Sequence, residues 1–232
     1  AGEDALFSMA EVQRALFAND SLTAQLLLPE MLAACANEPK RELGTETIDL
    51  TVACEVLANW DRRFNTGSRG AILFREWLTR YPYNETYLGR ELFDVPFNPA
   101  KPLTTPFGLK NPDTALNKLA EAVALMVDAG VSLDTALGKY QRGHRMNEIF
   151  PIHGGNRREG IANLQVSATR YSNPMETPIY TGSDTFVADS ESLSKTGYNV
   201  VHGSSFIMTL AYTDEGPEAQ AILSYSQSGD PD

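Results

Sequence analysis

Apolar side chains recur at helical spacing through the first 142 residues, so we predict that this part of the chain is mostly helical. The clearest stripe follows Asn111-Pro112, a capping residue before a proline at the first helical position. Ser68 is expected to cap a further helix, because a serine side chain can accept a hydrogen bond from the first free amides. The apolar positions of the long stripe are Leu116, Leu119, Ala120, Val123 and Val127.

The apolar period shortens to two near the end of the chain, which is typical of half-buried strands. Asp214 to Pro217 separates two such runs and predicts a hairpin connection. Residues 143–232 are therefore expected to form a strand-and-loop part, in which residues 167–199 make a long polar loop. Because helices and strands are segregated along the chain, the predicted class is α+β, helical first and then antiparallel. The alternating positions are Phe206, Met208, Leu210 and Tyr212, then Ala219, Ala221, Leu223 and Tyr225.

The charge balance restricts the classes of partner. The formal net charge is −11, and no cluster of Lys or Arg stands out. Nucleic-acid binding depends on basic groups that neutralise phosphates, so we expect no nucleic-acid partner. The longest wholly apolar runs are a few residues, whereas a helix needs roughly 20 to cross a bilayer, so we expect no membrane span.

Cys35 and Cys54 both lie on segments with helical apolar spacing. If the two helices are antiparallel neighbours, the thiols come within reach of a disulfide. Two small buried hydrophobic side chains explain the same residues. The pattern alone leaves both interpretations open.

The segment from Ile152 to Gly160, called the Gly-rich turn below, carries three glycines and two arginines, and its backbone amides and arginines could hold an anion. It lacks the Lys-Ser/Thr pair of a phosphate loop and the spacing of a dinucleotide fingerprint, so a structural turn is the simpler interpretation. His153 precedes Gly154 and Gly155, and His202 also precedes a glycine. These four residues (His153, Gly154, Gly155 and His202) are expected to orient strand ends, or to lie next to active-site residues without touching the substrate.

No residue stands out as a nucleophile, a metal ligand or a cofactor contact. The serines of Gly203-Ser204-Ser205 and Ser226-Gln227-Ser228 do not fit the Gly-x-Ser-x-Gly elbow. The three histidines are too scattered for a zinc motif. We therefore predict no catalytic residue, no metal and no cofactor in this chain.

Five blocks of sequence carry a resemblance to a known family. They are Phe7–Gln13 with its continuation to Pro29, Ala53–Arg63, Ser68–Trp77, Pro151–Gly155 and Tyr225–Pro231. In this order they resemble the penicillin acylase family, and within it the acyl-homoserine-lactone acylases.

The resemblance implies an αββα N-terminal-nucleophile hydrolase. In this family a precursor cuts itself, and the new amino-terminal serine of the β-chain attacks an amide carbonyl with its own amine as the base. Backbone amides and an asparagine hold the oxyanion. Both residues lie upstream of the block that resembles Phe7–Gln13, and this chain begins with Ala1. We therefore expect an interior segment of the β-chain, 1–142 helical and 143–232 strand and loop, that is inactive alone.

The resemblance also implies the partners and the compartment. The partners would be the α-chain, the N-terminal part of the β-chain and a small acyl-amide substrate. That substrate would be an acyl-homoserine lactone, or else a penicillin or a lipopeptide. Family members are exported, so a periplasmic or secreted location is expected, which favours a Cys35–Cys54 disulfide.

A rival interpretation comes from another functional class. The chain could be a non-catalytic binding or scaffolding domain with an acylase-like fold, whose acidic surface and loop 167–199 would suit a protein partner. The two hypotheses differ in what they expose. A segment of a larger enzyme should present apolar faces that other segments cover, whereas an independent domain should not.

Overall fold

A computed structural model describes residues 6–82, 91–145, 148–170, 186–187 and 189–223. Residues 171–185 and 188 of the polar loop predicted at 167–199 therefore lie outside the described residues, as does the whole block Tyr225–Pro231. The helices are α1 (Met9–Phe17), α2 (Leu22–Asn37), α3 (Thr51–Asn59), α4 (Ala71–Thr79) and α5 (Pro112–Asp128), with short 3-10 turns at Leu137–Lys139 and Arg157–Glu159.

The strands form three two-stranded pairings and one four-stranded sheet among the described residues. They are β1 (Lys40–Leu43), β2 (Glu46–Asp49), β3 (Phe93–Val95), β4 (Phe107–Leu109), β5 (Gln141–Arg145), β6 (Glu148–Pro151), β7 (Gln165–Ser167), β8 (Tyr198–Gly203), β9 (Phe206–Thr213) and β10 (Gly216–Leu223). The larger sheet has the order β6-β5-β8-β7, in which only β5 and β8 run parallel. The fold is α+β, as the pattern predicts.

Side-chain caps start α1, α2 and α5, whereas the N-cap residues of α3 and α4 make no such hydrogen bond. The Asn111 side chain accepts a hydrogen bond from the Thr114 amide, and Pro112 opens α5 as predicted. The prediction that Ser68 caps a helix is wrong, because α4 begins at Ala71 after Gly70 in a left-handed conformation. A side chain at residue 70 would lie 2.8 Å from the Trp60 Cβ, so this helix start depends on tertiary contact rather than on a capping side chain.

Helix α4 lies at the centre of the core, since every residue from Ala71 to Leu78 is buried. It packs against α3 and α5, and the Trp77 indole donates to the Ala115 carbonyl at 2.9 Å. Neighbouring aromatic rings along it have centroids 5.1 to 5.6 Å apart. These rings belong to Trp60, Phe64, Phe74, Trp77 and Tyr81.

Cys35 of α2 and Cys54 of α3 form a disulfide. Their Cα atoms are 6.5 Å apart, and the bond closes a loop between residues 19 positions apart. Of the two interpretations that the sequence left open, the disulfide is therefore the one found.

The hairpin of β9 and β10 turns at Asp214-Glu215 and packs one side against α1. On that side the Gln13 amide donates to the Thr209 hydroxyl at 3.0 Å and to the Gln220 side chain at 2.6 Å. The opposite side is apolar and exposed, and we call it the hairpin face. It consists of Phe206, Met208, Leu210 and Tyr212 with their cross-strand partners Leu223, Ala221, Ala219 and Pro217. In the described part of the chain, no helix is long and apolar enough to cross a membrane.

Candidate functional site

The Gly-rich turn does hold an anion, but the anion is the protein's own Glu159 carboxylate. The Asn156 amide donates to this carboxylate at 2.6 Å, and the Asn156 side chain accepts from the Arg158 and Glu159 amides. The Gly154 and Gly155 amides donate to the carbonyls of Phe64 and Asn163. These amides are therefore engaged within the chain, and the turn is structural.

Gly154 and Gly155 of the turn permit close backbone packing. Gly154 has a φ of 98°, and a Cβ there would lie 2.6 Å from the Asn163 carbonyl oxygen. A Cβ on Gly155 would lie 2.7 Å from the Ile161 side chain and would also clash with the Glu159 carboxylate. A larger residue at Gly155 would therefore displace the Glu159 carboxylate, and one at Gly154 would push the turn away from Asn163.

Arg75 meets Glu159 in the interior, where both side chains are almost fully buried. The guanidinium donates to both carboxylate oxygens, from Nε and, at 3.2 Å, from Nη2. Its Nη1 donates to the Gln141 side chain at 2.7 Å. The guanidinium also lies between the rings of Phe64 and Tyr198, 5.2 and 4.7 Å from their centroids. Burial opposes the charge of Arg75, but the neighbouring Glu159 raises the pKa of Arg75, so the guanidinium keeps its charge.

Gln141 links Arg75 to the Gly-rich turn by hydrogen bonds. Its side-chain amide donates to the carbonyls of Ile152 and Gly154 at 2.8 and 2.9 Å. Arg75 on α4 therefore fixes both ends of the turn, one through Glu159 and one through Gln141.

Glu76, the residue after Arg75 on α4, is the second buried carboxylate. Tyr198 donates to it at 2.6 Å and Ser190 at 3.0 Å. Burial raises the pKa of Glu76, an effect that the hydrogen bond from Tyr198 and the nearby Arg80 partly offset. Burial and the charge of Glu76 in turn raise the pKa of the Tyr198 phenol. Glu76 thus ties α4 to the segment that enters β8.

His153 projects from the Gly-rich turn onto three asparagines, Asn19, Asn65 and Asn163, called the asparagine cluster below. Its Nδ1 lies 2.9 Å from the Asn19 Nδ2 and 3.2 Å from the Asn163 Nδ2. The Asn19 amide also donates to the Asn65 side chain at 2.8 Å. Asn19 has a φ of 55°, a left-handed conformation that asparagine tolerates better than most residues.

The structure separates the two predicted histidines. His202 lies exposed on β8 opposite Val166 and lines an open cleft of about 1170 Å³ that His153 does not line. Arg80, Arg157 and Arg170 also line this cleft.

No reactive arrangement is found in the part of the chain that the structure describes. No serine hydroxyl there bonds to a histidine; the Ser204 hydroxyl, for example, accepts from the Leu164 amide. Within the same ranges, no group of three His, Cys, Asp or Glu side chains is placed to hold a metal ion.

Sequence reasoning missed the two buried carboxylates and Arg75. One signal was present, because Arg75 and Glu76 interrupt an otherwise apolar run from Ala71 to Leu78. Charged residues are almost never fully buried unless they are paired, so such a run predicts partners elsewhere in the chain. It does not say which residues those partners are.

Comparison with known proteins places the whole chain in one family. The profile of the penicillin amidase family matches residues 1–232. The chain is 29% identical to aculeacin-A acylase of Actinoplanes utahensis, with all of this chain and 26% of that protein aligned. It is 28% identical to the acyl-homoserine lactone acylase PvdQ of Pseudomonas savastanoi pv. phaseolicola, with 97% of this chain and 25% of that protein aligned. It thus spans about a quarter of the length of these relatives. The chain belongs to the penicillin amidase family.

Proposed function

We propose that this chain is a supporting segment of an acylase that hydrolyses the amide bond of an acyl-homoserine lactone or a related acyl amide. Two kinds of relative support this substrate class, since one is named for acyl-homoserine lactones and the other for aculeacin A. The amide hydrolysis itself follows from the family. The catalytic serine and the oxyanion groups would come from other segments, as the resemblance of the five blocks implies.

The exposed hairpin face is the observation that carries the proposal. Phe206 and Tyr212 are 57% and 84% exposed, and the same side carries Met208 and Leu210. Helix α1, which covers the other side, has no buried residue of its own. Monomeric proteins rarely leave a contiguous apolar sheet face in water. A second sheet packed on the hairpin face would give the helix–sheet–sheet layering expected of an αββα hydrolase.

We further propose that 1–142 and 143–232 are parts of one β-chain domain. The buried core supports this, because Ile161, Leu193 and Tyr198 pack in the same cluster as the residues of α2, α4 and α5. The Arg75–Glu159 pair joins the same two parts.

A periplasmic or secreted location accompanies this function. The Cys35–Cys54 disulfide supports it, because such bonds persist in oxidising compartments and are rare in the cytosol.

Processing of the longer polypeptide tests the proposal. The gene product that includes these residues is expressed, and the amino termini of its mature chains are sequenced. We expect one new terminus at a serine, threonine or cysteine upstream of residue 1, and its replacement by alanine should block both cleavage and amide hydrolysis. A gene product with no such cleavage and no hydrolysis would favour the rival binding-domain function.

A further inference from the structure

His153 is exposed at the surface, yet buried groups hold one side of its ring. Asn19 and Asn163 are only 2% and 4% exposed, and both direct their side-chain amides at Nδ1. Burying an amide costs free energy unless its hydrogen bonds are made. The buried amides of Asn19 and Asn163 make theirs in part with a surface imidazole, and so orient it.

The hydrogen bonds of the asparagine cluster determine where the imidazole proton lies. The Asn19 amide donates to the Asn65 carbonyl oxygen, and the Asn163 amide lies 3.4 Å from the Asn19 oxygen. Both asparagines therefore present NH₂ groups to His153, so Nδ1 is the acceptor and the proton of the neutral ring lies on Nε2. Among the residues that the structure describes, the hydrogen bonds of the His153 ring are made at Nδ1 and none is made at Nε2. The ring thus presents one fixed donor outward.

Helix α1 and the β9–β10 hairpin pack on each other, and the asparagine cluster lies near the points where both join the rest of the chain. Asn19 follows the last residue of α1 by two positions. Asn163 precedes Leu164, whose amide and carbonyl both bond to Ser204, two residues before β9. A segment that covers the hairpin face is therefore a suitable partner for the Nε2–H donor of His153.

We propose that His153 is a positioning residue of the acylase. Its Nε2–H donates to a carbonyl or carboxylate oxygen of the remaining segments, which pack against this side of the chain. The proposal rests on the proposed function for its occupant, because about three quarters of the length of the relatives lies outside the matched region. It assigns His153 no contact with substrate. A donor on Nε2 also suits an oxygen acceptor rather than a metal ion, which would need that nitrogen unprotonated.

Two variants separate the outward donor from the inward acceptor. In His153→Asn the side-chain oxygen can occupy the Nδ1 position and keep the asparagine cluster, but nothing replaces Nε2–H. In His153→Gln the side-chain NH₂ can occupy the Nε2 position. In the full acylase we expect His153→Asn to lower kcat about tenfold with KM unchanged, the effect of one lost hydrogen bond, and His153→Gln to stay within about twofold. Glu55→Gln, at an exposed position of α3, is the control and should leave kcat unchanged.

A purely structural role for His153 reverses that order, because His153→Asn would then be tolerated and His153→Gln would not. That order, or no effect of His153→Asn on kcat, overturns the proposal. Equal thermal midpoints of the His153→Asn variant and the unmodified acylase confirm that a lower kcat is not a folding defect.

Nitrogen-15 spectra of the imidazole test the contact without any activity. We expect the Nε2–H tautomer in this chain alone, with rapid exchange against water, and a protected Nε2–H in the full polypeptide. An Nδ1–H tautomer, or an Nε2–H that still exchanges rapidly in the full polypeptide, contradicts the proposal. If the proton is protected but the full polypeptide hydrolyses no acyl amide, the contact stands and the proposed function fails.

Discussion

At the scale of single residues, Arg75 and Glu159 depend on each other because neither charge reaches water. Glu159→Gln leaves the Arg75 charge buried without a counter-charge, and we expect this to lower the free energy of unfolding by about 3–5 kcal/mol. Urea unfolding of the variant and of the unmodified chain measures this difference in the free energy of unfolding. Asp20→Asn breaks the exposed pair with Arg63 and is the matched control, which should change stability little because water screens that pair. Equal effects of the two substitutions would contradict the assigned burial.

Tyr198→Phe should destabilise the fold in a pH-dependent way. Burial already raises the pKa of Glu76 above its ordinary value of 4.5, so the folded state binds more protons than the unfolded state above that pH. The contribution of Glu76 to stability therefore falls as the pH rises through this window. Removing the Tyr198 hydroxyl removes a hydrogen bond that lowers the pKa of Glu76, so the pKa rises further. The loss of stability should be small near about pH 4 and grow toward neutral pH. A loss that is the same at each pH would contradict this.

Single residues were predictable where the neighbouring sequence determines their role. Pro112 and its cap Asn111 are an example, since they need only their own helix. Glu159 is 84 residues from Arg75 in sequence, so spacing could not connect them. The expectation that His153 orients its surroundings or supports an active site stays a prediction, although the asparagine cluster now gives it a physical basis.

At the scale of elements, the Cys35–Cys54 disulfide joins α2 to α3. A loop of this length stabilises a fold by about 3 kcal/mol in the chain-entropy model. A reducing agent should therefore lower the thermal midpoint of the chain. The Cys35→Ser/Cys54→Ser double variant should start from that lower midpoint and respond no further to the reductant. A midpoint that the reductant leaves unchanged would show that the helices need no cross-link.

The hairpin face should bind a hydrophobic dye when this chain is studied alone. Leu210→Lys places a charge at its centre and should reduce dye fluorescence without changing the circular dichroism spectrum. Val52→Lys, at an exposed position of α3 outside the hairpin face, is the matched control and should leave the fluorescence unchanged. Weak dye binding by the unmodified chain would mean that the face is covered without any partner.

The elements that the sequence predicts best are those with a long, regular apolar pattern. Helix α5 and the β9–β10 hairpin agree with their predicted positions because each repeats its period over at least eight residues. The sheet β6-β5-β8-β7 has strands of three to six residues, too short for a readable period. Its parallel β5–β8 pairing also joins segments that are far apart in the chain.

At the scale of the whole molecule, one core holds both sequence parts together. The segregated pattern was enough for the α+β class, and the five blocks were enough for the family. The sequence did not show that the charges of α4 bridge the helical part and the strands. That information is tertiary, since it depends on which buried charges meet.

The most direct test of the central claim is hydrolysis of an acyl-homoserine lactone by two samples measured side by side. One is the purified chain of 232 residues, and the other is the full gene product that contains it. If the chain is a supporting segment of an acylase, the full product releases the free acid and homoserine lactone, and the chain alone releases neither. Turnover by the chain alone, retained after repurification, would contradict the account.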